Sequence, residues 1–163
     1  MTPREQGRTL MVLTMALAFA LTIVPLPDAL ELMRPHWVAL FLLYWNLEGG
    51  RLRTLGQAFV LGLLLDVLTG TLLGQHALGL VILVYLLERF RARIRFFPPW
   101  QQAVAILALL VNESVIQAWV IGLAGYPWPP WQWWLSPLVA VLIWPWLFLA
   151  LDALRRRERL HRS

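Results

Sequence analysis

Six apolar stretches, separated by short polar or charged segments, run along the chain. They lie at about residues 9–26, 30–47, 55–70, 73–88, 100–123 and 135–151. A helix needs about 20 residues to cross the hydrocarbon of a bilayer. The second and fourth stretches are short for a span, because their uninterrupted apolar parts are only residues 36–47 and 76–87. We expect the short helices to be tilted, flanked by interfacial residues or shielded by their neighbours. The pattern predicts one all-α membrane domain over residues 1–163, a bundle of six transmembrane helices.

The positions of the arginines orient these spans. Thirteen of the fourteen arginines lie near the N-terminus, after the second and fourth stretches, or in the C-terminal tail, and only Arg34 lies on the opposite side. Because cytoplasmic loops carry an excess of positive residues, the sequence predicts that both termini are cytoplasmic. No small-residue cleavage site follows the first stretch, which we therefore expect to be an uncleaved helix and not a signal peptide.

Composition narrows the class of protein. Of the 163 residues, 60% are hydrophobic and 14% are charged, whereas soluble domains carry about a quarter charged residues. A water-soluble fold of this size could not hide so much apolar surface. The absence of cysteine excludes disulfides, thiol catalysis and cysteine-ligated metals. The net charge of +5 is divided among short segments, which favours contact with membrane lipids over nucleic acid.

Two ionisable residues fall within the predicted spans, Asp66 and Glu113. Such residues are functional candidates, since a charge in the bilayer is costly. The first belongs to a series spaced four residues apart: Ala58, Gly62, Asp66, Gly70 and Gly74. We favour a helix–helix seam, with Asp66 protonated or bonded to a neighbouring helix, over a proton- or substrate-binding carboxylate. Gly70 and Gly74 form a close-approach motif, unless Gly70 begins the turn into the fourth span.

A second polar group occupies the middle of the fifth span. Glu113 and Gln117 are four residues apart and can share one helix face, and Asn112 lies beside them. Asp66 could share a proton with Glu113 if the two helices touch. Burying these four polar groups without mutual bonds or a ligand would be costly.

The sequence offers no set of residues for catalysis or metal binding. It contains no G-x-S-x-G elbow and no phosphate-binding loop. Metal-ligand spacing is absent among the histidines, which lie at predicted interfaces or in the tail: His36, His76 and His161. The sequence therefore predicts no enzyme, no cofactor and no metal site.

The last predicted loop on the Arg34 side is rich in tryptophan and carries no charge. Its aromatic residues are Trp128, Trp131, Trp133 and Trp134. We favour an interfacial anchor at the outer face of the membrane. The alternative is a docking surface for a periplasmic partner.

Several motifs, in order along nearly the whole chain, resemble those of the MreD family of rod-shape-determining membrane proteins. Residues 34–45 resemble the family's R-P-x-W…L-x-x-Y-W signature through Arg34, Pro35, Trp37, Tyr44 and Trp45. Residues 59–74 resemble its G-x-x-x-D-x-x-x-G-x-x-L-G stretch. Further similar features are the Gln-Gly-Arg at residues 6–8, residues 25–28, the Trp-Gln-Gln that contains Gln101 and Gln102, and the Trp-Pro-Trp at residues 144–146.

This resemblance implies a non-catalytic scaffold of the cell-elongation (Rod) complex in the bacterial inner membrane, required for rod shape and lateral peptidoglycan synthesis. The implied partners are the bitopic protein MreC, the actin-like MreB, the glycosyltransferase RodA and the elongation transpeptidase. It also implies a fold similar to the substrate-binding subunits of energy-coupling-factor transporters. Those subunits use a small-residue face to meet their transport partner, and Ala16-x-x-x-Ala20 in the first span is either such a face or ordinary packing.

A second hypothesis is a small-molecule or lipid-binding subunit of a membrane transporter. It requires a polar cavity, for which the candidates are Asp66, Asn112, Glu113 and Gln117. A cavity lined by these residues favours this hypothesis, and a cluster of mutually bonded side chains counts against it.

Overall fold

The computed structural model describes residues 3–48 and 55–160, with side chains described for residues 7–48 and 55–157. These residues form helices and no strand: α1 (Pro3–Ile23), α2 (Asp28–Glu31), α3 (Trp37–Glu48), α4 (Leu55–Thr69), α5 (Gln75–Phe96), α6 (Pro99–Leu123), a 3₁₀ helix (Trp131–Leu135) and α7 (Ser136–Leu160). The predicted all-α class is confirmed over this part of the chain. Three arginines that contribute to the predicted orientation lie outside the described residues: Arg51, Arg53 and Arg162.

Some helix bounds differ from the predicted ones. The second span is not one continuous helix from residue 30, because the chain leaves the helical conformation between Glu31 and Trp37. Pro35 explains this break, since proline disfavours a helical residue before it and lacks an N–H. The helix of the fourth predicted stretch, α5, does not end near residue 88 but continues to Phe96. Its arginine-rich end contains good helix formers, and the first proline comes only at Pro98.

Helix α3 is the centre of the bundle. All of its residues from Val38 to Leu47 are buried, which agrees with a helix that is apolar on every side. With 12 residues, α3 is roughly 18 Å long, which is shorter than the hydrocarbon of a bilayer. Helices α1, α5 and α7 contact it. The neighbouring helices therefore shield the short second helix, as expected.

The other helices pack as sequential pairs, α4 with α5, α5 with α6, and α6 with α7. Their short connections bring the helix ends together at two opposite ends of the bundle. We call these the Arg34 end, which holds the α1–α3 connection, the α4–α5 turn and the 3₁₀ helix, and the Arg91 end, which holds the end of α3 and the α5–α6 turn.

Within the described residues, two helical segments are long and apolar enough to cross a membrane, Pro99–Leu123 and Trp131–Arg157. The apolar segments Gly7–Ile23 and Leu55–Thr69 are shorter. Much of the outer surface of the bundle is apolar, with large exposed side chains on α1, α4, α6 and α7. Exposed apolar faces of this extent are expected where lipid or another protein covers them. The six-span topology stays a prediction.

Candidate functional site

Asp66 joins the end of α4 to the start of α5. Its Oδ1 lies 2.8 Å from Nδ1 of His76 and accepts hydrogen bonds from the His76 N–H at 2.9 Å and the Thr71 hydroxyl at 3.0 Å. Its Oδ2 accepts a bond from the Gly74 N–H at 2.8 Å. The first N–H groups of a helix have no partner within the helix, and Asp66 supplies one for α5. This side chain, 1% exposed, is a cap for the neighbouring helix.

The glycines of the four-residue series have two different roles. A Cβ on Gly62 would lie 2.2 Å from the Cα of Ala77, so this position is where the backbones of α4 and α5 come closest. Gly70 and Gly74 have φ of 67° and 99°, and a Cβ on either would meet nothing within 4 Å. The close-approach interpretation is wrong for these two residues. They allow the positive φ that the α4–α5 turn requires.

Glu113 forms the second carboxylate cluster. Its Oε2 lies 2.8 Å from Nδ1 of His36, and its Oε1 accepts a hydrogen bond of 2.8 Å from the Gln117 amide. Glu113 is 2% exposed. Each carboxylate is therefore paired with a histidine. Asp66 and Glu113 are not paired with each other, as a shared proton would require.

Sequence reasoning missed both histidines as partners. His36 lies 77 residues from Glu113 along the chain, and no local pattern links them. His76 follows Asp66 by ten residues across a turn, and the two glycines of that turn were the available signal. Asn112 does not join the Glu113 cluster, since its buried Nδ2 has no hydrogen-bond partner among the described residues.

The segment around Arg34 closes the same end of the bundle. The Arg34 guanidinium donates to the carbonyl of Thr22, and at 3.0 Å to that of Val24. It also lies 3.7 Å from a carboxylate oxygen of Glu31. The Ser136 hydroxyl donates to the Arg34 carbonyl. Arg34 thus ties the end of α1 and the start of α7 to the connection before α3.

A polar cavity of about 250 Å³ lies at the Arg34 end. The two clusters meet at its wall through His36, His76 and Glu113, and the motif residues at positions 34, 35 and 37 also line it. Further polar lining residues are Thr22, Glu31, Thr69, Thr71, Gln75, Gln117 and Ser136. Asp66 is not among the lining residues and acts on the cavity only by holding His76.

The geometry around His76 does not form a hydroxyl–base pair of the kind that nucleophilic catalysis uses. The Thr71 hydroxyl lies 3.3 Å from Nδ1 of His76, and Asp66 contacts that same nitrogen. In a catalytic triad the carboxylate and the nucleophile contact opposite nitrogens of the imidazole. Among the described residues, no three histidine, aspartate or glutamate side chains could hold one metal ion.

The tryptophans of the α6–α7 connection stack on one another beside the cavity. Trp128 and Trp134 lie with ring centroids 6.5 Å apart, and Trp133 meets Trp134 edge to face at 5.2 Å. Trp133 lines the cavity. Trp128 and Trp131 are 58% and 69% exposed, so these two rings form the outer surface of this end.

The other motif residues lie in the core and in its contacts. Tyr44 is fully buried and meets Phe148 edge to face at 5.4 Å. Trp45 donates a hydrogen bond of 2.9 Å to the Thr14 hydroxyl, joining α3 to α1. Trp144 of α7 lies 3.4 Å from the amide oxygen of Gln102. The half-buried Gln101 does not join the polar cavity.

At the Arg91 end, the arginines differ in their contacts. Arg91 donates through Nε and Nη2 to the carbonyl of Leu47, at 3.2 and 3.1 Å. Arg155 donates to the carbonyl of Glu48 at 2.9 Å and lies 3.4 Å from its carboxylate. The last carbonyls of a helix need partners from outside the helix, so these two arginines cap α3. No sequence pattern distinguishes these two arginines from their neighbours.

These features define the class of the protein. The described residues have the features of a helical membrane protein. The central helix is buried, the outer faces carry large apolar side chains, and two helical segments are long enough to span a bilayer. The two buried carboxylates have partners within the same chain: Asp66 contacts His76 at the start of α5, and Glu113 contacts His36 and Gln117.

Comparison with known proteins gives the family. The profile of the rod shape-determining protein MreD family matches residues 3–154. The chain is also 31% identical over 154 residues to the rod shape-determining protein MreD of Haemophilus influenzae, an alignment that covers 89% of this chain and 90% of that protein. No solved structure matches the chain. The chain belongs to the MreD family and has the family's rod shape-determining role, so the resemblance seen in the sequence is confirmed.

Proposed function

We propose that the chain is a non-catalytic scaffold of the Rod complex in the bacterial inner membrane, with six spans and both termini in the cytoplasm. In this arrangement the Arg34 end faces the periplasm and the Arg91 end faces the cytoplasm. The proposed function is to hold MreC beside MreB, RodA and the elongation transpeptidase, and so to support lateral peptidoglycan synthesis. Family membership supports this role.

The observation that carries the proposal is the outward face of α1. This helix packs mainly against α3, and its other face leaves Val12, Leu13 and Leu17 from 51% to 62% exposed. Ala16 and Ala20 are exposed on that face too, so they do not serve packing inside the chain. Small residues let a second helix approach closely, and the transmembrane helix of MreC is the proposed occupant.

Co-purification of tagged protein with MreC tests this interface. The double substitution Ala16→Phe/Ala20→Phe should abolish the association, because bulky rings would hold the helices apart. Val60→Phe on the exposed face of α4 adds a ring at another lipid-facing site and should leave the association intact. Retention of MreC by the α1 variant would refute the α1 interface. If the wild-type chain does not retain MreC and its depletion does not cost rod shape, the scaffold proposal fails.

The exposed tryptophans at the Arg34 end are the proposed contact for the periplasmic base of MreC. Trp128→Ala/Trp131→Ala would remove two exposed rings while leaving the cavity wall in place. Loss of a few kcal/mol of binding is typical when aromatic anchors of an interface are truncated. Unchanged MreC retention by this variant would assign the rings to membrane anchoring alone.

The cavity supports a second candidate function, a small-molecule or lipid-binding subunit of a transporter. Its polar lining and its volume of about 250 Å³ lie just below the usual range for ligand pockets. Against this function, the buried carboxylate of the cavity, Glu113, already contacts His36 and Gln117. Mass spectrometry of solvent extracts from the purified protein tests it. A molecule present in stoichiometric amount and lost from Gln117→Leu would favour the second function, and its absence would favour the scaffold alone.

A further inference from the structure

An apolar groove runs along the outside of the bundle between α5 and α6, toward the Arg91 end. It has a volume of about 360 Å³. Leu86, Phe90, Ile94 and Phe97 form one side, and Ala105, Ala108 and Leu109 form the other. The two alanines leave the space that larger side chains would fill, and Arg93 is the one charged residue of the lining.

On the α5 side the groove extends from Leu86 to Phe97, the residue that follows the helix. Arg93 lies seven residues from Leu86, so the part of the groove between them rises roughly 10 Å along the helix. This part is apolar and can hold much of an acyl chain that begins at the level of Arg93. Exposed aromatic residues, Phe96, Phe97 and Trp100, surround the open end, where membrane proteins carry their interfacial aromatic belt.

The two arginines beside the groove have no partner in the described part of the chain. Arg93 lines the groove and Arg89 lies one turn before it, both exposed. Arg91, between them in sequence, faces inward and is bound to the Leu47 carbonyl. No acidic side chain lines the groove. The groove therefore combines an apolar channel with unpaired positive charge at headgroup level.

We propose that the α5–α6 groove binds an anionic phospholipid, with an acyl chain along the groove and the phosphate at Arg93 and Arg89. Arginine is suited to phosphate because its planar guanidinium donates two parallel hydrogen bonds. The site would fix one lipid to the cytoplasmic side of the scaffold. The proposal shares the predicted membrane orientation with the proposed function but does not depend on MreC, so either can fail while the other stands.

Native mass spectrometry of the purified protein in detergent tests the charge of the occupant. The probes are dioleoylphosphatidylglycerol and dioleoylphosphatidylcholine, which have the same acyl chains. We expect wild type to prefer phosphatidylglycerol, and Arg89→Gln/Arg93→Gln to weaken its binding by about 5-fold for each arginine removed. Arg156→Gln/Arg157→Gln removes two exposed arginines from the same end and should leave the preference unchanged. Equal binding of both lipids by wild type would overturn the proposal, as would equal effects of the two double variants.

A second substitution tests the groove itself. Ala108 is exposed, so Ala108→Phe should fill the groove without disturbing the core, and we expect it to weaken binding of both lipids. Leu142→Phe places a ring at an exposed site on α7 and should have no effect. If Ala108→Phe leaves lipid binding unchanged but removes MreC from the co-purified complex, the groove takes a protein helix and the lipid proposal is wrong.

Discussion

The contacts of Asp66 predict that two substitutions at this position, Asp66→Ala and Asp66→Asn, differ in their effect on stability. Four donors lie within 3.0 Å of its carboxylate, three at Oδ1 and one at Oδ2. Asp66→Ala removes all four contacts and leaves part-buried N–H groups at the start of α5 without an acceptor. At about 1 kcal/mol for each hydrogen bond, the expected loss is about 4 kcal/mol of the free energy of unfolding.

Asp66→Asn should cost less. The amide oxygen can keep the three contacts of Oδ1, and the amide nitrogen then faces the N–H groups of Gly74 and, at 3.4 Å, of Ala77 in place of Oδ2. Losing the short bond from Gly74 and leaving its N–H unsatisfied costs about 1–3 kcal/mol. Asp66→Asn should therefore lower the free energy of unfolding by less than the loss of about 4 kcal/mol expected for Asp66→Ala.

Thermal unfolding of the detergent-purified variants measures their relative stability. Complementation of a strain depleted of the protein measures whether each variant restores rod shape. If Asp66 serves as a cap, Asp66→Asn keeps both rod shape and most of the stability. Two outcomes would refute the capping argument. One is an equal loss of stability in both variants, and the other is an asparagine variant that folds stably but does not restore rod shape, as a proton-carrying carboxylate would require.

Two further predictions concern single positions. Gly62→Ala should destabilise the protein by about 1–3 kcal/mol, since its Cβ would lie 2.2 Å from the Cα of Ala77. Gly70→Ala, where the space is open, should cost only the αL strain of about 1–2 kcal/mol. If thermal unfolding shows Gly70→Ala to be the more damaging change, α4 and α5 do not meet closely at Gly62. Arg91→Gln should lower the free energy of unfolding by about 1.5–3 kcal/mol, because it removes charge-assisted bonds to the last turn of α3. Arg89 has no such bond, so Arg89→Gln should change the stability by less than about 0.5 kcal/mol. Equal unfolding temperatures for the two variants would show that the cap on α3 does not stabilise the protein.

The helices were largely predictable because the apolar pattern alone defines them. The fifth stretch, predicted at 100–123, is α6 at Pro99–Leu123, and the third differs from α4 by one residue. The errors came where a local signal competed with hydropathy. Pro35 interrupts the second stretch, and the helix-forming arginines carry α5 beyond its apolar part.

The candidate site was predictable only in part. Glu113 and Gln117 were paired correctly because helical spacing brings residues four apart together. The partner of Glu113, His36, reaches it only through the packing of α3 in the bundle, which no periodicity shows. The two roles of the glycine series depend on backbone geometry: Gly62 is needed for space and Gly70 for its positive φ. Identical residue types at identical spacing gave no means of separating them.

Site-specific photo-crosslinking in cells can detect a partner helix on the outward face of α1, through which we propose that this chain acts. A photoreactive residue at Leu13 or Leu17, both more than half exposed on α1, should crosslink to MreC. The same residue at Val104, 60% exposed on α6, should crosslink to lipid only. Crosslinks to MreC from position 104 and none from α1 would show that MreC binds another face and that the α1 interface is wrong.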